Sequence, residues 1–190
     1  MFYILTILIS MAIIALFNIL FTELKFWYIV GAVVLNTLSV IILDGILATL
    51  IRWSLPKKWF TMKEKTVNKK EISFYEKLKI KGWKELIPDL GFLTKTKKSK
   101  IEDPSNNEYI KNYILEINYG VLVHIASMFL GFLIAFIYPL NLFFNFAFPV
   151  AVVNFVLNLL PIFVLRYNLS KLERLYKINE RRERLNKKTD

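Results

Sequence analysis

The one histidine of the chain, His124, sits among apolar residues eight positions after Glu116. Imidazole is the side chain best suited to moving a proton near neutral pH. The stretch Tyr109–Tyr138 starts polar and turns apolar after Ile117, so Glu116 marks the junction and His124 lies about one third of the way into the apolar part. An ionisable group inside a membrane span is costly and marks function by default. A histidine there also serves as a hydrogen-bonder between packed helices, and both readings stand. At about 1.5 Å rise per residue, Glu116 and His124 lie about 12 Å apart along a helix and about 80° apart around it. They can line one pocket at two depths but cannot touch.

Other polar groups share these apolar surroundings. Asp44 precedes Gly45, eight residues before Arg52, which sets it at a depth similar to that of His124. A pairing of the two is geometrically open, although no motif indicates it. A hydrogen bond to a neighbouring helix, or a protonated carboxyl, accounts for Asp44 equally well. Asn154 and Asn158 stand one helical turn apart on one face. Beyond the apolar runs lie Lys81, Lys84, Asp89, Arg166 and Tyr167. Such a set suits proton abstraction from a hydroxyl, with cations and amides holding anionic or carbonyl groups. It does not by itself name a reaction.

Several chemistries are not expected. There is no Gly-rich phosphate loop, no H-E-x-x-H and no G-x-S-x-G. The soluble glycerolipid acyltransferase pattern needs Asp five residues after His, where this chain has Phe129. Without cysteine, disulfides, thiolate metal sites and cysteine acyl-enzymes are ruled out, and one histidine makes a poor transition-metal site.

The elements that must position these groups are membrane spans. The chain has 190 residues, 55 % hydrophobic, with a formal net charge of +11. Those values coexist because the charges are segregated. Of 26 Lys and Arg, 16 fall between Arg52 and Lys111, 9 between Arg166 and Lys188, and one is Lys25. Four apolar runs, Phe2–Phe21, Phe26–Ile51, Ile117–Tyr138 and Leu142–Leu165, are each long enough to cross a hydrocarbon core. We expect an all-α integral membrane protein with about four transmembrane helices. Its parts are a hairpin over 1–52, a cytosolic interfacial loop over 53–116, a second hairpin over 117–165 and a basic tail over 166–190. The basic loop and tail lie on one side, which the positive-inside rule makes cytosolic. Both termini are then cytosolic in a cell-membrane protein, and no cleaved signal peptide is expected. The basic excess needs no nucleic acid, since attraction to anionic membrane lipids accounts for it.

Within the loop, Trp53, Trp59 and the lysines between them suit the headgroup region. Thr61–Lys70 reads as a charged connection. Phe74–Leu86 has the spacing of a short amphipathic helix, interrupted at Gly82 and ended by Pro88. Thr94–Asn107 reads as a loop. Pro161 in the last run removes a backbone donor, freeing carbonyls and bending the helix. The tail reads as a charged helix leaving the membrane surface.

Three stretches carry a family resemblance. They are Lys81-Gly82-Trp83-Lys84-Glu85-Leu86-Ile87-Pro88-Asp89, Glu116 with His124, and Asn158 followed eight residues on by Arg166-Tyr167-Asn168. In order and rough spacing, from Pro56 to about Leu172, the chain resembles the glycosyl-4,4'-diaponeurosporenoate acyltransferases of carotenoid-making firmicutes. That family continues after R-Y-N with Arg and Pro, where Leu169-Ser170-Lys171 stands here. The first hairpin is poorly matched, and Asp44 is not part of the pattern.

The resemblance implies a membrane enzyme of carotenoid biosynthesis that moves a fatty acyl chain onto a hydroxyl of a glycosylated lipid or carotenoid. The partners expected are membrane lipids, acyl-CoA or an acyl carrier protein, and the lipid-like acceptor. No cofactor is expected beyond the acyl thioester co-substrate. His124 would be the general base, and Glu116 would orient the acceptor or assist. Asn158 and Arg166 would hold the carbonyl oxygen or donor phosphates. Lys81 and Lys84 would draw the anionic donor, and Trp83 would anchor that segment. Asp89, Tyr167 and Asn168 complete the binding set. A non-enzymatic scaffold with a basic partner-binding loop is the alternative from another class. A solute transporter subunit is a further one, disfavoured by the few polar positions in the first run.

Overall fold

The computed structural model of the chain describes residues 2–56, 60, 67–87, 101 and 103–189. Every regular element among them is helical. These are α1 (Phe2–Phe21), α2 (Phe26–Ser54), α3 (Lys69–Lys77), α4 (Ile80–Trp83), α5 (Asn107–Ala135), α6 (Leu140–Leu142) and α7 (Phe148–Thr189). A 3₁₀ turn, Lys84–Leu86, follows α4, and a π-helical segment, Phe143–Ala147, leads into α7. Four helices are long and apolar enough to cross a membrane: Phe2–Phe21, Phe26–Ser54, Asn107–Ala135 and Phe143–Asn186. The α1 helix buries only Ile14 and Asn18 and exposes most of its large aliphatic side chains. That pattern would be unstable in water and costs nothing against lipid tails.

The chain forms two compact units. The first combines Met1–Ser54 with Leu122–Pro161, and the second combines Leu55–Val121 with Ile162–Asp190. Both α5 and α7 contribute to each.

In the first unit, Ile14, Ile29, Val33 and Val40 of the N-terminal hairpin pack with Phe146 and Val150. Small residues let α5 and α7 approach closely, as between helices in lipid. Ala135, Ala147 and Ala151 form one cluster. A Cβ on Gly131 would stand 3.2 Å from the Ala151 Cα and 3.4 Å from the Asn154 side-chain nitrogen. The two prolines of α7 explain two long-range hydrogen bonds. Pro149 lacks an N–H, so the Asn145 carbonyl loses its helical donor, and the fully buried Asn18 supplies one from Nδ2 at 2.8 Å. Pro161 does the same to the Leu157 carbonyl, which accepts from the Tyr3 hydroxyl at 2.6 Å. The Leu157 carbonyl freed at Pro161 thus finds its donor on α1, and α7 continues as helix through the proline.

The second unit is built on a different core. Ile110, Tyr113, Ile114 and Ile117 of α5 pack with Leu165, Leu169 and Leu172 of α7. The Asn107 amide donates to Glu183 at 2.8 Å, and Asn179 donates to the Pro104 carbonyl at 2.8 Å. The tail is therefore a packed extension of the last helix, held by partners that its charged composition does not announce.

Three boundaries differ from expectation. The α5 helix starts at Asn107, ten residues before the apolar run, with the Asn106 side chain accepting from the backbone of Glu108 and Tyr109. The α3 helix already contains Lys69 and Lys70, because Asn68 caps it by accepting from the Glu71 N–H at 2.8 Å. The amphipathic segment breaks at Leu78–Lys79, where Lys79 takes a left-handed conformation (φ 51°), and Gly82 lies inside α4. Helix termination by backbone conformation won over glycine's weak helix propensity. Trp59, the lysines beside it, Pro88 and most of Thr94–Asn107 lie outside the described residues.

Candidate functional site

The close approach at Gly131 sets the register of α5 against α7 in the first unit. Counting outward from Gly131 opposite Ala151, antiparallel helices bring Ser127 to Asn154 and His124 to Asn158. The hydrogen bonds agree. Asn154 Nδ2 donates to the Ser127 carbonyl at 2.9 Å, and His124 Nδ1 lies 2.9 Å from Asn158 Oδ1. Asn158 Nδ2 also faces Asn154 Oδ1 at 2.9 Å, the Asn154 carbonyl at 3.1 Å and Asp44 Oδ2 at 3.2 Å. Asp44, on α2, and His124, on α5, are thus joined through one amide of α7.

This arrangement decides the imidazole tautomer. Turned over, the Asn158 amide would set its oxygen against three oxygens. Its nitrogen therefore faces them, and Oδ1 faces His124. An amide oxygen only accepts, so His124 Nδ1 carries the hydrogen. In the neutral ring Nε2 then keeps its lone pair and can accept a proton. Asn154 is fixed in the same way by the Ser127 carbonyl. The buried polar groups form a connected set of mostly neutral amides, the cheapest way to satisfy hydrogen bonding in an apolar region.

The second unit holds a charged cluster. Arg166 Nε and Nη2 each donate to a Glu71 carboxylate oxygen at 2.7 Å. Tyr75 donates to Glu71 Oε1 at 2.6 Å. Burial alone would raise the Glu71 carboxyl, but hydrogen bonds from Arg166 and Tyr75, with the guanidinium charge, outweigh it and hold the carboxyl below the usual glutamate range. Burial, then the Glu71 carboxylate, pushes the Tyr75 phenol upward. Val67 N–H donates to Glu173 at 3.3 Å. Tyr167 is buried with Tyr75, Ile80 and Val164, and Lys171 lies 4.2 Å over its ring.

The remaining expected site residues take these places. Trp83 packs partly against the Tyr75–Tyr167 cluster and donates from Nε1 to the Leu78 carbonyl at 3.0 Å. Lys81 is exposed, and Lys84 lies 3.8 Å from Glu85. Asn168 is half-buried on α7. Glu116 is half-buried on α5, in the second unit, whereas His124 belongs to the first. Asp89 lies outside the described residues. Two side chains expected to meet substrate directly have protein partners. Asn158 is engaged by His124, Asp44 and Asn154, and Arg166 by Glu71. Glu71 itself is not among the residues the sequence singles out. Its signal was its place three residues after a capping asparagine, which announces a helix start but no partner 95 residues away.

A family model described as glycosyl-4,4'-diaponeurosporenoate acyltransferase matches residues 56–178, about two thirds of the chain. The chain belongs to this family. No curated protein and no solved structure matches it significantly. The glycosyl-4,4'-diaponeurosporenoate acyltransferase match takes in His124, Asn154, Asn158, Glu71 and Arg166. It leaves out the N-terminal hairpin and therefore Asp44, which reaches the cluster from outside the matched segment.

Proposed function

We propose that the protein transfers a fatty acyl chain from a thioester to a hydroxyl of a glycosylated lipid or carotenoid, with His124 as general base. The observation that carries this reading is the Asn158 amide oxygen 2.9 Å from His124 Nδ1, which leaves Nε2 as the accepting nitrogen. In the reaction, Nε2 takes the acceptor's O–H proton as that oxygen attacks the thioester carbonyl. The carbon–sulfur bond then breaks, and the thiol leaves with the proton returned from Nε2. Glu116 orients the acceptor. Lys81 and Lys84 attract the anionic acyl-CoA or acyl carrier protein. Arg166, held by Glu71, fixes α3 and so the stretch after it that carries Trp83 and both lysines. We assign Tyr167 and Asn168 to donor binding as well, and Asp89 on the family resemblance alone.

Cells with and without the protein are to be compared by mass spectrometry of their lipid extracts. The expected result is an acylated glycolipid or glycosyl-carotenoid only where the protein is present, lost with His124→Gln. Equal lipid profiles would favour a scaffold that binds a cytosolic partner. We further propose a cell-membrane orientation with both termini cytosolic. Because the chain has no cysteine, single cysteines at Lys98 and Lys187 should label from the cytosol, and one at Thr22 from outside. Opposite labelling of the two basic segments would overturn that orientation.

A further inference from the structure

We propose that Asp44 is a positioning residue for His124, acting through Asn158. Its consequence for catalysis rests on the general-base reading above, but its consequence for the imidazole does not. Asn158 Nδ2 has two hydrogens to place. One serves Asn154, a turn earlier on the same helix, through Oδ1 at 2.9 Å and the carbonyl at 3.1 Å. That contact is local and follows the Asn158 side chain wherever its own helix carries it. The other hydrogen reaches Asp44 Oδ2 on α2 at 3.2 Å. Only this bond ties the nitrogen side of the amide to a different helix, while Oδ1 ties it to His124 on α5.

The chemistry of a carboxylate suits the task. An ionised carboxylate only accepts, so it cannot tolerate an Asn158 turned over to present its oxygen. Imidazole in water prefers its hydrogen on Nε2. Holding it on Nδ1 therefore needs an acceptor that stays in place, and Asp44 with Asn154 supplies that constraint. A carboxylate is expensive inside an apolar helix, and an amide or hydroxyl would have served for helix packing alone. In its ionised form the carboxylate has a further use. When His124 accepts a proton, a negative group one amide away stabilises the imidazolium, as a buried aspartate does for a catalytic histidine.

The single histidine makes the test direct. The full chain, carried on a histidine-free affinity tag and labelled with ¹⁵N-histidine, shows one pair of ring nitrogens by NMR in detergent. The wild type is expected to show a hydrogen-bearing Nδ1 and a hydrogen-free Nε2. Asp44→Asn keeps an acceptor oxygen and should keep that tautomer, with kcat lowered through loss of the charge. Asp44→Val should shift the tautomer ratio toward Nε2–H by about tenfold or more and lower kcat about 10- to 100-fold, the scale of one charge-assisted hydrogen bond, at nearly constant KM. If Asp44→Val does not fold, Asp44→Ala is read in the same way.

A wild-type hydrogen on Nε2 would overturn the proposal. So would an Asp44→Val protein of native helicity with the wild-type tautomer, or an Asp44→Asn protein with the Asp44→Val spectrum. The spectra need no substrate. The expected spectra without any acyl transfer would sink the acyltransferase reading and leave the Asp44 role standing. Acyl transfer with the wrong tautomer would do the reverse.

Discussion

The two units solve the burial of polar groups differently. Around His124, in the first unit, asparagine amides satisfy one another and backbone carbonyls, with Asp44 the one carboxylate bonded to Asn158. Around Arg166, in the second unit, full charges pair bidentately, with side chains still 19 % and 23 % exposed. Desolvation of an ion costs far more than desolvation of an amide. Ion pairs therefore suit a partly hydrated segment, and amide chains suit an apolar one. The first arrangement orients an imidazole, which on the proposed reading is a catalytic task. The second fixes a segment, which is a mechanical one.

If that contrast holds, substitutions in the two units should differ in kind. The largest effect is expected at His124. His124→Gln retains a polar side chain of similar bulk and should lower acyl transfer by about 10²–10⁴-fold without unfolding the protein, measured on detergent-solubilised enzyme with ester product followed by mass spectrometry. His124→Phe should be as inactive. An active His124→Gln enzyme would make the imidazole a packing group and erase the contrast.

Next is the register. Gly131→Val sets a branched side chain against the Ala151 backbone, and overpacking of this sort costs about 1–3 kcal/mol. It should lower thermal stability in detergent and also activity, since Asn154 stands at the same contact. Full stability in Gly131→Val would mean that the helices part easily there.

Glu71→Gln should destabilise the second unit by about 1–3 kcal/mol, the scale of hydrogen bonds to a charged group in a partly buried site, while leaving kcat nearly unchanged. The same carboxyl sets a pH dependence. Its folded value lies below the usual 4.5, so the stability it contributes is present above that value and lost as pH falls through the folded one. Denaturation at successive acid pH values should show this loss in the wild type and not in Glu71→Gln. An equal acid sensitivity of both proteins would assign it to other groups.

The smallest effect is expected at the two lysines beside Trp83. Lys81→Ala and Lys84→Ala should raise the apparent KM for the acyl donor a few-fold at constant kcat, an effect that added salt reduces in the wild type. A fall in kcat at unchanged KM would instead place the lysine at the reacting centre.

The sequence by itself determined the four spans, because roughly 20 apolar residues in a row admit few other fates. It also singled out His124, Asn154 and Asn158, since polar groups in apolar helices are few enough to notice. It could not assign their roles. Asn158, expected to meet substrate, is hydrogen-bonded to His124, and Arg166, expected to bind the donor, is paired with Glu71. Hydrogen-bond partners 34 to 114 residues apart are chosen by the register of packed helices, which no local spacing encodes. The register in turn depends on Gly131 meeting Ala151, a contact between two small side chains that leaves no periodic signal. The helix ends were lost for a related reason. Asn68, Asn106 and Lys79 set them through individual side-chain bonds and one backbone conformation. Composition announces a membrane helix, but only tertiary structure decides which amide faces which imidazole, because that choice is made by atoms from three helices at once.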